Sequence, residues 1–498
     1  GMRLATAFRL DAAEPFLLQI LADSSASLES KRTALGALAE IGSSQTAPLL
    51  SVLKSNLPLH AEALVALCSA KSPEAPQTVL ALYPKLAAPQ RVLALGKLST
   101  TRPGAAAILA ALSAKTIAAE EIDGSVLDRL QAVLGADNPE LVKLVDSLGS
   151  LFRPVLQLDG SKDAWSETGI TLEGPITIEA WIRLAPGINQ DDGLAGVPKA
   201  LSINFYAGKL RVYAGRDFVV ARKPLLPEVW THVAAVRNGE GIWSLYIDGD
   251  LDATASNPAP GVLENIRLGW VKDGKATEGS FAEYRIWNKA RTASEIQRDF
   301  DRGFGDEQPA GLVFSSSAQN GGHWGKLKHG ARLGKTSDLP PILTKEEGVA
   351  LDAKFDKYRA LANQPGDATR GKVVANLCLT CHLINGQGGQ IGPNISGAGA
   401  MGKEALLRRL ITPNAAMESA YHIFRVTLID GGLREGFFVS EDSEAVVVRT
   451  PGADDQRIPR TQIASTKYLR RGIMPEGLMD GMASEQVSDL FAYLMTLK

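Results

Sequence analysis

The chain has 498 residues, enough for about three domains at roughly 150 residues each. Hydrophobic residues at 45% and charged residues at 22% are ordinary globular proportions, which excludes collagen-like, coiled-coil and wholly disordered classes. With 53 Lys and Arg against 55 Asp and Glu, the net charge of −2 predicts no general attraction to nucleic acid or anionic membranes, and no uninterrupted apolar run approaches the roughly 18 residues of a spanning helix.

Residues 1–150 are rich in Ala and Leu, lack Trp, and carry apolar positions at helical spacing between Ser, Pro and Gly breakers. Leu35-Gly36-Ala37-Leu38, Leu64-Val65-Ala66-Leu67 and Leu95-Gly96-Lys97-Leu98 recur at intervals of about 30, a period that signals stacked helix pairs. They resemble degenerate HEAT-type repeats, which implies an all-α stack acting as a docking surface or a spacer. Cys68, inside an apolar run, reads as a small buried side chain. With only 3 Cys the chain has no disulfide framework.

From 152 the pattern changes to short alternating stretches with turn signals, as in Ile176-Thr177-Ile178-Glu179-Ala180-Trp181-Ile182 and Trp243-Ser244-Leu245-Tyr246-Ile247 followed by Asp248-Gly249. Many short strands in succession predict a two-sheet sandwich. LQLDG, ITIEAWIR, WTHVAAV, WSLYIDG and EGSFAEYRIWNKARTASEI are similar to the concanavalin A-like, laminin-G type jelly roll, here spanning 152–341 and closing at Pro340-Pro341. The resemblance implies a sandwich whose relatives bind sugars, proteins or calcium, or only join domains. All 7 Trp fall in this region. Trp181, Trp230, Trp243 and Trp287 lie in strand motifs and are expected in the core, whereas Trp165, Trp270 and Trp324 lie near loops and are the candidates for exposed stacking platforms. Asp159 and Glu283 are candidate oxygen ligands for a calcium ion.

Residues 342–366 read as a charged helical linker, and 367–498 carry the chemistry. Cys378-Leu379-Thr380-Cys381-His382 is the attachment signature of a c-type haem: two thiols three apart reach the two vinyl groups, and the next imidazole points at the iron. A redox dithiol would want a preceding βαβ unit and a zinc site two further ligands, and no other Cys follows Cys68. Met474-Pro475, ahead of a predicted helix from Ser484 to Leu497, resembles the distal-ligand loop of class I cytochromes c. That resemblance implies Met474 as the second axial ligand beside His382, with Met479 and Met482 as its neighbours. Gly392-Pro393-Asn394 is similar to a segment of the same family in which the proline carbonyl accepts a hydrogen bond from the ligating imidazole, a role it assigns to Pro393. Between the ligands, about 421–463 alternates as a small antiparallel sheet inserted into the α-class haem domain. GDATRG, GPNISG, VTLIDGGLREGFFVSED and IMPEGL together resemble the haem-binding domain of the planctomycete and verrucomicrobial type, although Val374 stands where many such domains have an aromatic.

These observations predict an extracytoplasmic, periplasmic or similarly located c-type cytochrome that passes single electrons, rather than a catalyst. Its expected partners are a redox protein, such as a sugar-oxidising dehydrogenase or another cytochrome, and a carbohydrate or cell-surface ligand. Gly1-Met2 reads as an expression scar where a leader was removed, or as the start of a fragment. The alternative is a carbohydrate- or protein-binding adhesion protein whose haem is structural or sensory; a peroxidase, with an open iron, is a third.

Overall fold

The computed structural model describes residues 11–498 apart from 56, 136–137, 145–152, 162–163, 215–216, 257–260, 276, 306, 318–322 and 451–454. The Gly1-Met2 start lies outside the described residues. The chain divides into two compact units, Gly1–Phe152 with Phe424–Thr466, and Arg153–Ile423 with Lys467–Lys498.

In the first unit, helices Glu14–Ala22, Leu28–Ile41, Ala47–Ser55, His60–Cys68, Ala75–Leu82, Ala88–Leu98, Arg102–Ser113 and Gly124–Leu134 follow one another. Local chemistry sets their starts: Ser27, Thr101 and Asp123 accept hydrogen bonds from free backbone N–H groups of the first turn, and proline occupies the first turn of the helices at 75, 88 and 102. The recurring leucines are the core. Leu35, Leu38, Leu64, Leu67, Leu95 and Leu98 are fully or almost fully buried. Cys68 is buried among them, and desolvation pushes its thiol up to about 12, so it is an inert packing residue.

A five-stranded sheet in the order Gln456–Pro459, Ala445–Arg449, Leu433–Glu441, Phe424–Leu428, Ile463–Tyr468 follows much later in the chain. Its residues to Thr466 belong to the compact unit of the helices. Leu433 joins the helical core and donates its N–H to the Thr100 carbonyl at 2.8 Å. Fully buried Arg425 is gripped by Asp128 at 2.7 Å and Glu435 at 2.6 Å, and Arg129 pairs with Glu435 at 3.0 Å.

The second unit is built on two antiparallel sheets. One runs Asp250–Ser256, Ile242–Ile247, Thr231–Arg237, Ile176–Leu184, Glu278–Trp287, Arg153–Asp159, Arg332–Thr336, with Leu312–Ser316 also paired to Glu278–Trp287. The other runs Lys326–Lys328, Trp165–Glu167, Arg267–Leu268, Gly193–Val197, Leu201–Tyr206, Lys209–Ala214, Asp217–Val220. Inward residues of both, such as Ile178, Phe205, Val212, Trp243 and Phe281, form one core. Trp181 and Trp230 instead pack in a second cluster with Phe300 and Ile342. Their indole N–H groups donate to Phe300 O at 2.8 Å and Asp338 at 2.9 Å, so the polar end of each ring is satisfied.

The expected exposure of three tryptophans needs correction. Trp270 and Trp324 are 6% and 3% exposed, and Trp165 is half-buried. Gly193 and Gly196 explain Trp270: a Cβ on Gly196 would meet the indole at 2.5 Å, so the bare backbone is what lets the ring settle against the sheet.

The same unit holds helices Lys345–Ala362, Ala368–Val374, Lys403–Ile411 and Ser484–Leu494 around Leu407, Val487, Leu490, Phe491 and Leu494. They are tied to the sandwich by Arg302 to Asp352 at 2.6 Å and by an Arg408–Asp250 pair, and Arg470, in the segment before the last helix, pairs with Asp248 at 3.0 Å.

Candidate functional site

Asp367 accepts from the Thr369 and Arg370 N–H groups and so starts the helix Ala368–Val374, which passes into a 3-10 turn at Ala375–Thr380. The His382 N–H donates to Cys378 O at 2.8 Å, closing a tight turn over the two cysteines. Both thiols are free and partly exposed. Burial, followed by the neighbouring Cys381, raises the Cys378 thiol.

The next loop folds back on the motif. Gly389 N–H reaches Leu379 O at 2.8 Å, and Ile391 and Gly392 N–H reach Cys381 O at 3.0 and 2.7 Å. That path brings the Pro393 carbonyl to 2.8 Å from His382 Nδ1. A carbonyl can only accept, so Nδ1 carries a proton, and in the neutral ring Nε2 keeps its lone pair. Gly392 lies against the imidazole, where a Cβ would stand 2.6 Å from Cε1.

Met474 is half-buried and packs, like Cys378, Leu379 and Ile395, against the core of the terminal helices. Met479 is inside that core, Met482 and Met495 are at its margin, and Met401 is exposed. Thus Cys378 and Met474, 96 residues apart by subtraction of their numbers, meet one hydrophobic cluster. Asn414 was not singled out by the sequence. Its Oδ1 accepts the Gly472 N–H at 2.8 Å and its Nδ2 donates to Glu476 at 3.1 Å, so it holds the Met474 loop from both sides. A lone Asn with no motif around it gives no signal for such a role. Below, the helix at 368 crosses the helix at 484 at close range: a Cβ on Gly371 would come within 1.9 Å of Asp489 O.

The candidate calcium ligands are differently placed. Asp159 is exposed, accepts from the Ser161 N–H at 3.0 Å, and lines a cleft of about 420 Å³ with Arg183, Glu278, Arg332 and Asp338. Glu283 is buried beside Arg285 at 3.4 Å. Among the described residues no group of three or more His, Cys, Asp or Glu side chains is gathered to hold a metal ion.

Residues 159–297 match the concanavalin A-like lectin/glucanases superfamily, so this part of the chain is a laminin-G type, concanavalin A-like domain. No curated protein matches the chain. Among solved structures, a candidate carbohydrate binding protein from Bacteroides ovatus is 17% identical over 37% of this chain and 59% of its own, with a TM-score of 0.30. The chain therefore spans less than two thirds of that protein. A heptameric SAP-like pentraxin from Limulus polyphemus is 15% identical over 36% of this chain and 94% of its own, with a TM-score of 0.29. At these scores neither likeness identifies a ligand.

Proposed function

We propose that the chain is an extracytoplasmic c-type cytochrome in which Cys378 and Cys381 hold a haem covalently and His382 and Met474 ligate its iron. The observation that carries this reading is the 2.8 Å contact of His382 Nδ1 with Pro393 O, which in the neutral imidazole leaves the Nε2 lone pair available to a metal. Two free thiols, an imidazole of fixed tautomer and a thioether in the adjoining cluster are a donor set that fits haem c. When bound, haem supplies reversible one-electron exchange. The residues of the chain do the rest: Pro393 O orients the imidazole and increases its basicity, Asn414 positions the methionine loop, and the apolar cluster excludes water. Covalent attachment is normally made outside the cytoplasmic membrane, hence the location. The helical stack and the sandwich would serve docking, to a dehydrogenase or another cytochrome and to carbohydrate.

Production with a haem-attachment apparatus tests this. Haem should survive acid-acetone extraction, the ferrous protein should resist carbon monoxide, and Met474→Ala should bind it readily. Haem that extracts freely, or an unchanged response of the variant, overturns the assignment.

The match of residues 159–297 to a lectin superfamily favours a second reading, a carbohydrate-binding protein whose haem is structural or sensory. Ready carbon monoxide binding by the unaltered protein, together with tight polysaccharide binding, would select it.

A further inference from the structure

The outward face of the seven-stranded sheet carries what the tryptophan count alone does not reveal. Cross-strand partners line up as one row, Glu167, Arg267, Gly196, Ser202, Tyr213, Phe218. Gly196, in the middle of the row, is covered by the Trp270 ring, and Tyr213 and Phe218 stand further along the row. On one side Arg267 lies 5.3 Å from the Trp165 ring and 5.0 Å from that of Trp270. On the other, Arg211 lies 5.1 Å from Tyr206 and 5.3 Å from Phe218, and Tyr213 is 5.4 Å from Phe218. Tyr206, Tyr213 and Phe218 are 52%, 38% and 55% exposed, a contiguous aromatic surface that burial in the core would have been expected to remove.

The charges on this face point to a ligand. Neither Arg211 nor Arg267 is ion-paired with a described carboxylate; Arg211 Nε is used on Asn204 at 2.9 Å, and Glu167 beside Arg267 is taken by Lys328 at 3.2 Å. Arg267 and Tyr213 are three strand spacings apart, about 14 Å.

We propose that this face binds an acidic polysaccharide lying across the strands, its ring faces on Tyr206, Tyr213 and Phe218 and its carboxylates or sulfates on Arg211 and Arg267. Aromatic rings offer flat apolar surface to the C–H faces of sugars, and the planar guanidinium is the group suited to carboxylate or sulfate. The inference rests on the carbohydrate-docking part of the reading above.

Affinity electrophoresis of the full chain in gels containing polygalacturonate, dextran sulfate or neutral dextran tests it, with Tyr206→Ala/Phe218→Ala and Arg211→Gln/Arg267→Gln as variants. The acidic polymers should retard the unaltered protein and dextran should not, and each double variant should weaken binding about 10-fold or more. Equal retardation by dextran overturns the acidic specificity. Undiminished affinity in both variants removes the site from this face while leaving carbohydrate docking standing. No retardation in any gel removes carbohydrate docking itself. The aromatic substitutions are at exposed positions, and an unchanged thermal transition checks that they fold.

Discussion

His382 Nδ1 donates to the carbonyl of Pro393 across 2.8 Å, and the residue between them in the loop, Gly392, has no side chain because the imidazole occupies the space one would need. Gly392→Ala would put a Cβ 2.6 Å from Cε1, so the ring must turn away from Pro393. Overpacking of this kind costs about 1–3 kcal/mol. Nitrogen NMR of the haem-free protein should show an Nδ1-protonated imidazole at His382, and the variant should show mixed tautomers and a lower melting temperature. An unaltered tautomer in the variant would contradict the geometry.

Gly371 and Gly36 make a sharper comparison because the same substitution should have opposite signs. A Cβ on Gly371 would lie 1.9 Å from a backbone oxygen, Asp489 O, which no rotamer change can relieve. Gly36 is within Leu28–Ile41 and has nothing within 4 Å of its Cβ position. Gly36→Ala should therefore stabilise by about 0.5–1 kcal/mol through helix propensity. Gly371→Ala should destabilise by more than about 3 kcal/mol, beyond ordinary overpacking because backbone must separate. Urea denaturation of both variants measures this, and similar effects would refute the close crossing.

Burial decides between two arginine pairs of the small sheet. Arg425 is fully buried against Asp128 and Glu435, whereas Arg457 and Asp442, 2.9 Å apart, are each 52% exposed. Arg425→Ala removes the buried cation that faces both carboxylates, at a cost of about 3–5 kcal/mol. Arg457→Ala should cost at most about 1 kcal/mol. Chemical denaturation followed by circular dichroism at 222 nm separates the two; comparable losses would mean that Arg425 is not the anchor of the sheet.

What could be read in the sequence is what is periodic or locally spaced. Leu35, Leu64 and Leu95 announce a helical core by recurrence, the sandwich strands by alternation, and the Cys378 to His382 motif by its interval of three. The remainder depends on partners remote in the chain. Nothing near Glu435 shows that its carboxylate meets Arg129, 306 residues earlier, so the sheet's packing on the helices was illegible. Trp270 was expected at the surface because its neighbours look like a loop, and glycines on another strand bury it. Asn414 acts through single bonds to Gly472 and Glu476, which no pattern encodes.

The pH dependence of stability should carry the signature of buried neutral histidines. His422 is 5% exposed and its Nδ1–H donates to Leu469 O at 2.9 Å, beside the Ile423 and Leu469 backbone bonds that join the chain on either side of the small sheet. Desolvation, reinforced by Arg470, brings the His422 imidazole down from 6.5 to about 4. Because the folded value is depressed, the unfolded chain binds a proton first as pH falls. The contribution of His422 is therefore fully present above 6.5 and is lost as pH falls towards 4, amounting to roughly 3 kcal/mol. His232, fully buried and pushed down by desolvation and then by Arg285, acts with the same sign. Urea denaturation at several pH values between 7 and 4 should show this decline, and His422→Gln, which retains a donor and does not titrate, should flatten it without abolishing it, because His232 remains. A decline of undiminished slope in that variant would assign the proton uptake to other groups.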